Sequence, residues 1–192
     1  MDSKRKCTFT PFSFDDPETP RSPSVLVPES CRSMREQVKA VEKNLNDWQA
    51  YHDIGLRLLK IICNVTDETL PDELVQPCEK LDEVCDKLDA IVTNLKAILN
   101  KMKAIAELQK DRGPLFRTWE TKRFVEITEE IYESYRKEAE EKRIIHEIAP
   151  RQFTRKDRVS NCSMWRVQPL IDLAETNRNV GYMLWEIEEI LR

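Results

Sequence analysis

The chain has 192 residues, 40% of them hydrophobic and 34% charged, with 31 lysines and arginines against 35 aspartates and glutamates for a formal charge of -4. These totals support one or two modest cores and exclude a collagen-like, membrane-spanning or wholly disordered chain. Only 3 glycines stand beside 10 prolines, too few for the tight turns of a many-stranded sheet, so the chain reads as all-helical.

Residues 1–31 carry Pro11, Pro17, Pro20, Pro23 and Pro28 among Ser, Thr and Asp. Such a segment can neither propagate a helix nor bury enough apolar surface to offset ordering entropy, and a disordered tail is expected. Thr10, Thr19 and Ser22 each precede a proline, the minimum that proline-directed kinases read, and are candidate phosphorylation sites. Residues 32–192 are expected to form the helical bundle.

From Ser33 the pattern changes. Met34, Val38, Val41, Leu45, Trp48, His52, Leu59 and Ile62 fall on alternating four-three spacing, one stripe of an amphipathic helix over about 33–64. Ser33 with Glu36 fits a capping box at its start. Gly55, which costs about 1 kcal/mol relative to alanine inside a helix, suggests a bend.

The second stretch holds the strongest signal. Leu81, Leu88, Leu95 and Met102 recur every seven residues, as do Val84, Ile91, Ile98 and Ile105, and so do Cys85, Val92, Leu99 and Ala106. Three apolar rows require a broad buried face and therefore packing against at least two other helices, in an elongated antiparallel, coiled-coil-like bundle. The helix is predicted over about 71–110, roughly 60 Å long. Its acidic first half and its lysine-rich end complement the macrodipole, and Gly113-Pro114 ends it.

Pro114-Leu115-Phe116-Arg117-Thr118-Trp119 is too short and too apolar for a solvated linker. A third helix is predicted over about 120–148, capped by Thr118 or Thr121, with Phe124, Ile127, Ile131, Tyr135 and Ile145 on one face and charges including Lys142 and Arg143 mostly on the other. Pro150 ends it. Arg151 to Ser163 is polar and partly basic and reads as a solvated segment. A shorter last helix over about 170–191 takes in Val180, Met183, Leu184, Ile187 and Leu191.

No constellation for chemistry emerges. The two histidines, His52 and His146, lie inside helical patterns, and His52 reads as a hydrogen-bonded core residue. No glycine-rich loop exists to cradle a phosphate. Cys78 and Cys85 lack the close second ligand of a zinc site and read as small buried hydrophobes. No catalytic, cofactor-binding or metal-ligating residue is therefore expected. The mild acidic balance disfavours nucleic acid, and the basic run Arg151, Arg155, Lys156 and Arg158 is interrupted by Asp157. Six cysteines without a C-x-x-C pair, an N-terminus lacking a signal-peptide core and the lack of an apolar run of roughly 18 residues point to a reduced, intracellular protein.

Leu115-Phe116 with Trp119, and Met164-Trp165 with Pro169, are apolar groups off the helical stripes. They either plug the ends of the bundle or anchor another protein. With Arg117 they make up the candidate partner-binding set of Leu115, Phe116, Arg117, Trp119, Met164, Trp165 and Pro169.

The block from Pro114 to Trp119, Phe124, the run Tyr135-Arg136-Lys137-Glu138 with Lys142-Arg143, and Ser163-Met164-Trp165 with Gln168-Pro169 resemble the C-terminal half of the cyclin-dependent kinase 2-interacting protein family. Asn46-Asp47-Trp48 is similar to that family's N-terminal helical region. The likeness spans about Val41 to Leu170, and the extreme C-terminus departs from the vertebrate pattern. It implies a helical adaptor without catalytic activity, found in nucleus and cytoplasm, that binds cell-cycle kinases of S phase. It also implies a place beside a pair of AAA-type ATPases and a second small helical protein, in large ribosomal subunit maturation and at replication forks. No direct nucleic-acid, membrane or small-molecule partner is expected. Two alternatives stay open: a phosphorylation-regulated partner of a cyclin-dependent kinase in replication and checkpoint signalling, and a purely structural coiled-coil oligomer.

Overall fold

A computed structural model describes residues 29–64, 71–111, 114–151 and 155–188. Five α-helices and one short turn make it up: α1 (Glu29–Cys63), α2 (Pro71–Gln109), α3 (Thr121–Ile148), a 3-10 turn (Ala149–Arg151), α4 (Arg155–Val167) and α5 (Leu173–Glu188). The described residues contain no strand, and the fold is all-α.

The heptad rows of α2 do what their breadth requires. Leu81, Leu88, Leu95, Met102, Val84, Ile91, Ile98, Ile105, Cys85 and Leu99 are buried, while Val92 and Ala106 lie half-buried at the margin. Two neighbours cover this face, α1 on one flank and α3 on the other. Both run antiparallel to α2. Gln109 at the end of α2 donates to the Ser30 hydroxyl at the start of α1 (2.7 Å), and Arg143 near the end of α3 reaches Asp82 (2.7 Å) and Asp86 (2.8 Å) near the start of α2.

On the side of α1 and α3 away from α2, the chain lays down a fourth stave in two pieces. Both α4 and α5 touch α1 and α3, and the Arg35 Nε of α1 donates to the Ile187 carbonyl of α5 at 2.8 Å. Core side chains from all four staves meet between them, from Met34, Trp48 and Leu59 to Ile131, Tyr135, Trp165 and Met183.

Four local expectations change. The α1 helix already includes Glu29, Cys31 and Met34, with Cys31 and Met34 fully buried, so Ser33 lies inside the helix and does not cap it. The α3 helix is preceded by Glu120 in extended conformation with no side-chain capping bond, and Thr118 is engaged elsewhere. Lys142 belongs to the buried face of α3, with 0% exposure. The segment expected to be solvated from Arg151 to Ser163 contains most of α4, whose only fully enclosed apolar side chain among the described residues is Trp165. One large ring packed against α1 holds that polar stretch to the bundle. The expected sites Thr10, Thr19 and Ser22 lie outside the described residues.

Candidate partner-binding surface

The two off-stripe aromatic segments meet the fourth stave at different places, the first against α5 and the second where α4 ends. In the first, Phe116 is buried with its ring 4.7 Å from that of Phe124, and Trp119 packs edge-on to Phe124 at 5.4 Å and meets Tyr182 of α5 at 6.4 Å. Glu186 of α5 fastens this turn. Its carboxylate accepts from the Thr118 backbone N–H (2.6 Å), the Thr118 hydroxyl (2.6 Å) and the Trp119 backbone N–H (3.0 Å). Burial alone raises a carboxyl pKa, but here these bonds and one from the Arg117 backbone outweigh it and hold Glu186 below its ordinary range. Thr118 is thus diverted from helix capping to a clasp between the turn and α5.

Leu115, half-buried, borders a cleft of about 710 Å³ between the end of α2 and the start of α3. Lys103, Lys110 and Lys122 line the cleft, and each already pairs with a carboxylate, Glu129, Glu107 and Glu126 respectively.

The second segment surrounds a buried ammonium group. Lys142 Nζ pairs with Glu138 Oε1 at 3.2 Å, donates to the Trp165 carbonyl at 3.1 Å, and lies 3.2 Å from His52 Nδ1. Three protons meet three acceptors, which requires His52 to be neutral with Nδ1 unprotonated. The ammonium also sits 4.4 Å from the Trp165 ring centroid. Burial, reinforced by the Lys142 charge, lowers His52 to about 4, in agreement with that assignment. Burial also lowers Lys142 to about 8 against the opposing pull of Glu138, and raises Glu138.

The same cluster seats the corner between α4 and α5. Trp165 Nε1 donates to the His52 carbonyl (3.1 Å), Trp48 Nε1 donates to the Gln168 side-chain oxygen (2.7 Å), and the Leu170 backbone N–H donates to Glu138 Oε2 (3.2 Å). Gln168 turns the chain at φ 50, a left-handed conformation. Gly55 leaves the space for the ring: a Cβ there would stand 2.3 Å from Trp165 Cζ2. Glycine at 55 is therefore explained by close approach.

The candidate set divides accordingly. Phe116 (4% exposed) and Trp165 (0%) are enclosed in the manner of end plugs. Leu115 and Trp119 are half-buried, and Arg117, Met164 and Pro169 are exposed. Around Met164 (43%), the structure adds Val167 (64%), Leu170 and Leu173, exposed apolar residues at successive three-residue steps through the corner. Sequence reading passed over these three, although their signal was present: they are apolar positions outside the stripe of Trp165, Val180 and Met183.

No family model matches the chain, and no curated protein matches it. Among the described residues no group of three or more His, Cys, Asp or Glu is placed to hold a metal ion, and no helix is long and apolar enough to cross a membrane.

Proposed function

We propose that the chain is a non-enzymatic adaptor subunit of an AAA-type ATPase complex. In this reading it works with a second small helical protein in large ribosomal subunit maturation and in replication and genome-maintenance proteostasis, in nucleus and cytoplasm, and also binds a cell-cycle kinase. The observation that carries the reading is the exposed row Met164, Val167, Leu170 and Leu173, apolar groups that the bundle leaves outside while a buried polar cluster fixes the backbone bearing them. Apolar side chains on a rigid corner suit capture of another protein. The identity of the partners rests on the motif likeness to the cyclin-dependent kinase 2-interacting protein family.

The test is affinity purification from cells with Met164→Asp and Val167→Asp variants. Recovery of an AAA ATPase falls at least fivefold while helicity by circular dichroism is unchanged. Equal recovery from a normally folded variant overturns the reading. The regulatory alternative rests on the Thr19-Pro20-Arg21-Ser22-Pro23 run. It requires that deleting residues 1–28, which stops short of α1, abolish phosphate incorporation by a cyclin-dependent kinase, whereas the adaptor reading requires that ATPase recovery survive the deletion.

A further inference from the structure

The cleft between the end of α2 and the start of α3 holds about 710 Å³, within the roughly 300–1,000 Å³ of sites that enclose a ligand. Ala106, Pro114, Leu115 and Val125 supply its apolar lining. The lysines beside them are already engaged: Lys103 by Glu129, Lys110 by Glu107 and Lys122 by Glu126. With that charge compensated, what stays open to water is apolar surface, and an uncharged apolar occupant matches it.

The start of α1 stands at the same place. Gln109 lines the cleft and donates to the Ser30 hydroxyl at 2.7 Å, so the 28 residues that precede Glu29 join the bundle at the cleft's edge. The nearest of them, Ser22-Pro23-Ser24-Val25-Leu26-Val27-Pro28, carry no charge. Val27, Leu26 and Val25 lie two to four residues before Glu29, a reach of roughly 7–14 Å. Further upstream Phe9, Phe12 and Phe14 lead into Asp15, Asp16 and Glu18, which would bring carboxylates to lysines that are already paired.

We propose that Val25, Leu26 and Val27 dock in this cleft, so that the chain's own N-terminal segment is its occupant and closes it to other apolar peptides. Connectivity favours this occupant over a separate molecule. A segment tethered two to four residues from the cleft's edge is held at an effective concentration on the order of 1 mM or above, and a modest intrinsic affinity then fills the site. Neutrality favours it over the acidic aromatic stretch upstream. This inference is independent of the adaptor reading, which uses the corner between α4 and α5.

Methyl NMR on the full chain tests it. Nuclear Overhauser contacts are expected from the Val25, Leu26 and Val27 methyls to those of Ala106, Leu115 and Val125, and isotope-filtered spectra of mixed labelled and unlabelled chains should place them within one molecule. Leu26→Asp, a substitution outside the five helices, abolishes the contacts and shifts the cleft methyls while circular dichroism stays unchanged. Absence of the contacts in the wild-type chain overturns the proposal, and so do contacts between molecules or contacts from Phe12 or Phe14 in their place. Cleft methyls indifferent to Leu26→Asp overturn it as well.

Discussion

Lys142 shows how much a single buried charge can organise. Its ammonium has a full complement of acceptors drawn from α1, α3 and α4, so removing it leaves Glu138, 1% exposed, without its counterion. Lys142→Met is expected to cost about 3–5 kcal/mol in urea denaturation, and the double variant Lys142→Met, Glu138→Gln to recover part of that loss. His52 adds a pH dependence. Unfolded, it binds its proton near pH 6.5, and folded only near 4. Between those values the unfolded state holds more protons, so stability is fully present above pH 6.5 and is lost toward pH 4, by about 3 kcal/mol in all. His52→Gln keeps an acceptor for Lys142 and removes the titration, so its stability profile over that interval should be flatter by about one proton. Gly55→Ala is expected to destabilise by about 2 kcal/mol in the same assay, despite its better helix propensity, because the methyl meets the Trp165 ring. Part of this cluster was legible. Ile131, Tyr135, Glu138, Lys142 and Ile145 follow four-three spacing, which puts both charged residues on the buried face; reading charge as exposure concealed them. The glycine signal was visible too, but the ring it accommodates lies 110 residues further along the chain, beyond anything local periodicity reports.

Among the elements, α2 and α4 are opposites. The α2 helix was readable because three apolar rows repeat over four heptads, and its two flanking partners followed from the width of that face. The α4 helix was not, because RKDRVSNCSMWRV offers one large ring and little else with a period. Its place in the fold comes from tertiary contact: the Trp165 ring against Gly55, its indole N–H on the His52 carbonyl, and its own carbonyl under Lys142. Trp165→Ala is therefore expected to cost about 3–5 kcal/mol. Hydrogen exchange should show where: α4 amides lose protection while those of α2 retain it. Equal loss in both helices would mean that α4 is no separate unit. The exposed row at the corner escaped the sequence reading for a related reason, since the corner exists only once α4 is recognised as a helix.

At the scale of the whole molecule, the bundle closes by adding the fourth stave over the groove between α1 and α3. Its interior should be sealed to reagents that sample only the folded state. Cys31 and Cys85 are buried, and burial pushes the Cys85 thiol up to about 12. In native alkylation these two should react only through global unfolding, at a rate that falls as stability rises, whereas half-buried Cys78 and Cys162 react earlier. Early labelling of Cys85 would show that the groove opens without unfolding. The broad architecture was legible at this scale, down to the second helix needing at least two others to cover its face. The division of the last stave was not, because the left-handed turn at Gln168 falls on a residue that carries no turn signature.

The order of synthesis gives that last stave a further significance. A ribosome delivers α1, α2 and α3 first, and Trp48, His52, Tyr135 and Lys142 then line a trough open to water until Trp165 and Gln168 emerge to cover it. During that interval the nascent chain displays two aromatic rings beside an ion pair that lacks the Trp165 carbonyl, a sticky intermediate whose lifetime is set by how quickly α4 and α5 follow. Slowing elongation across that stretch should increase chaperone association with the growing chain, and a release-stalled nascent chain truncated before Trp165 should bind chaperone more tightly than one that includes it.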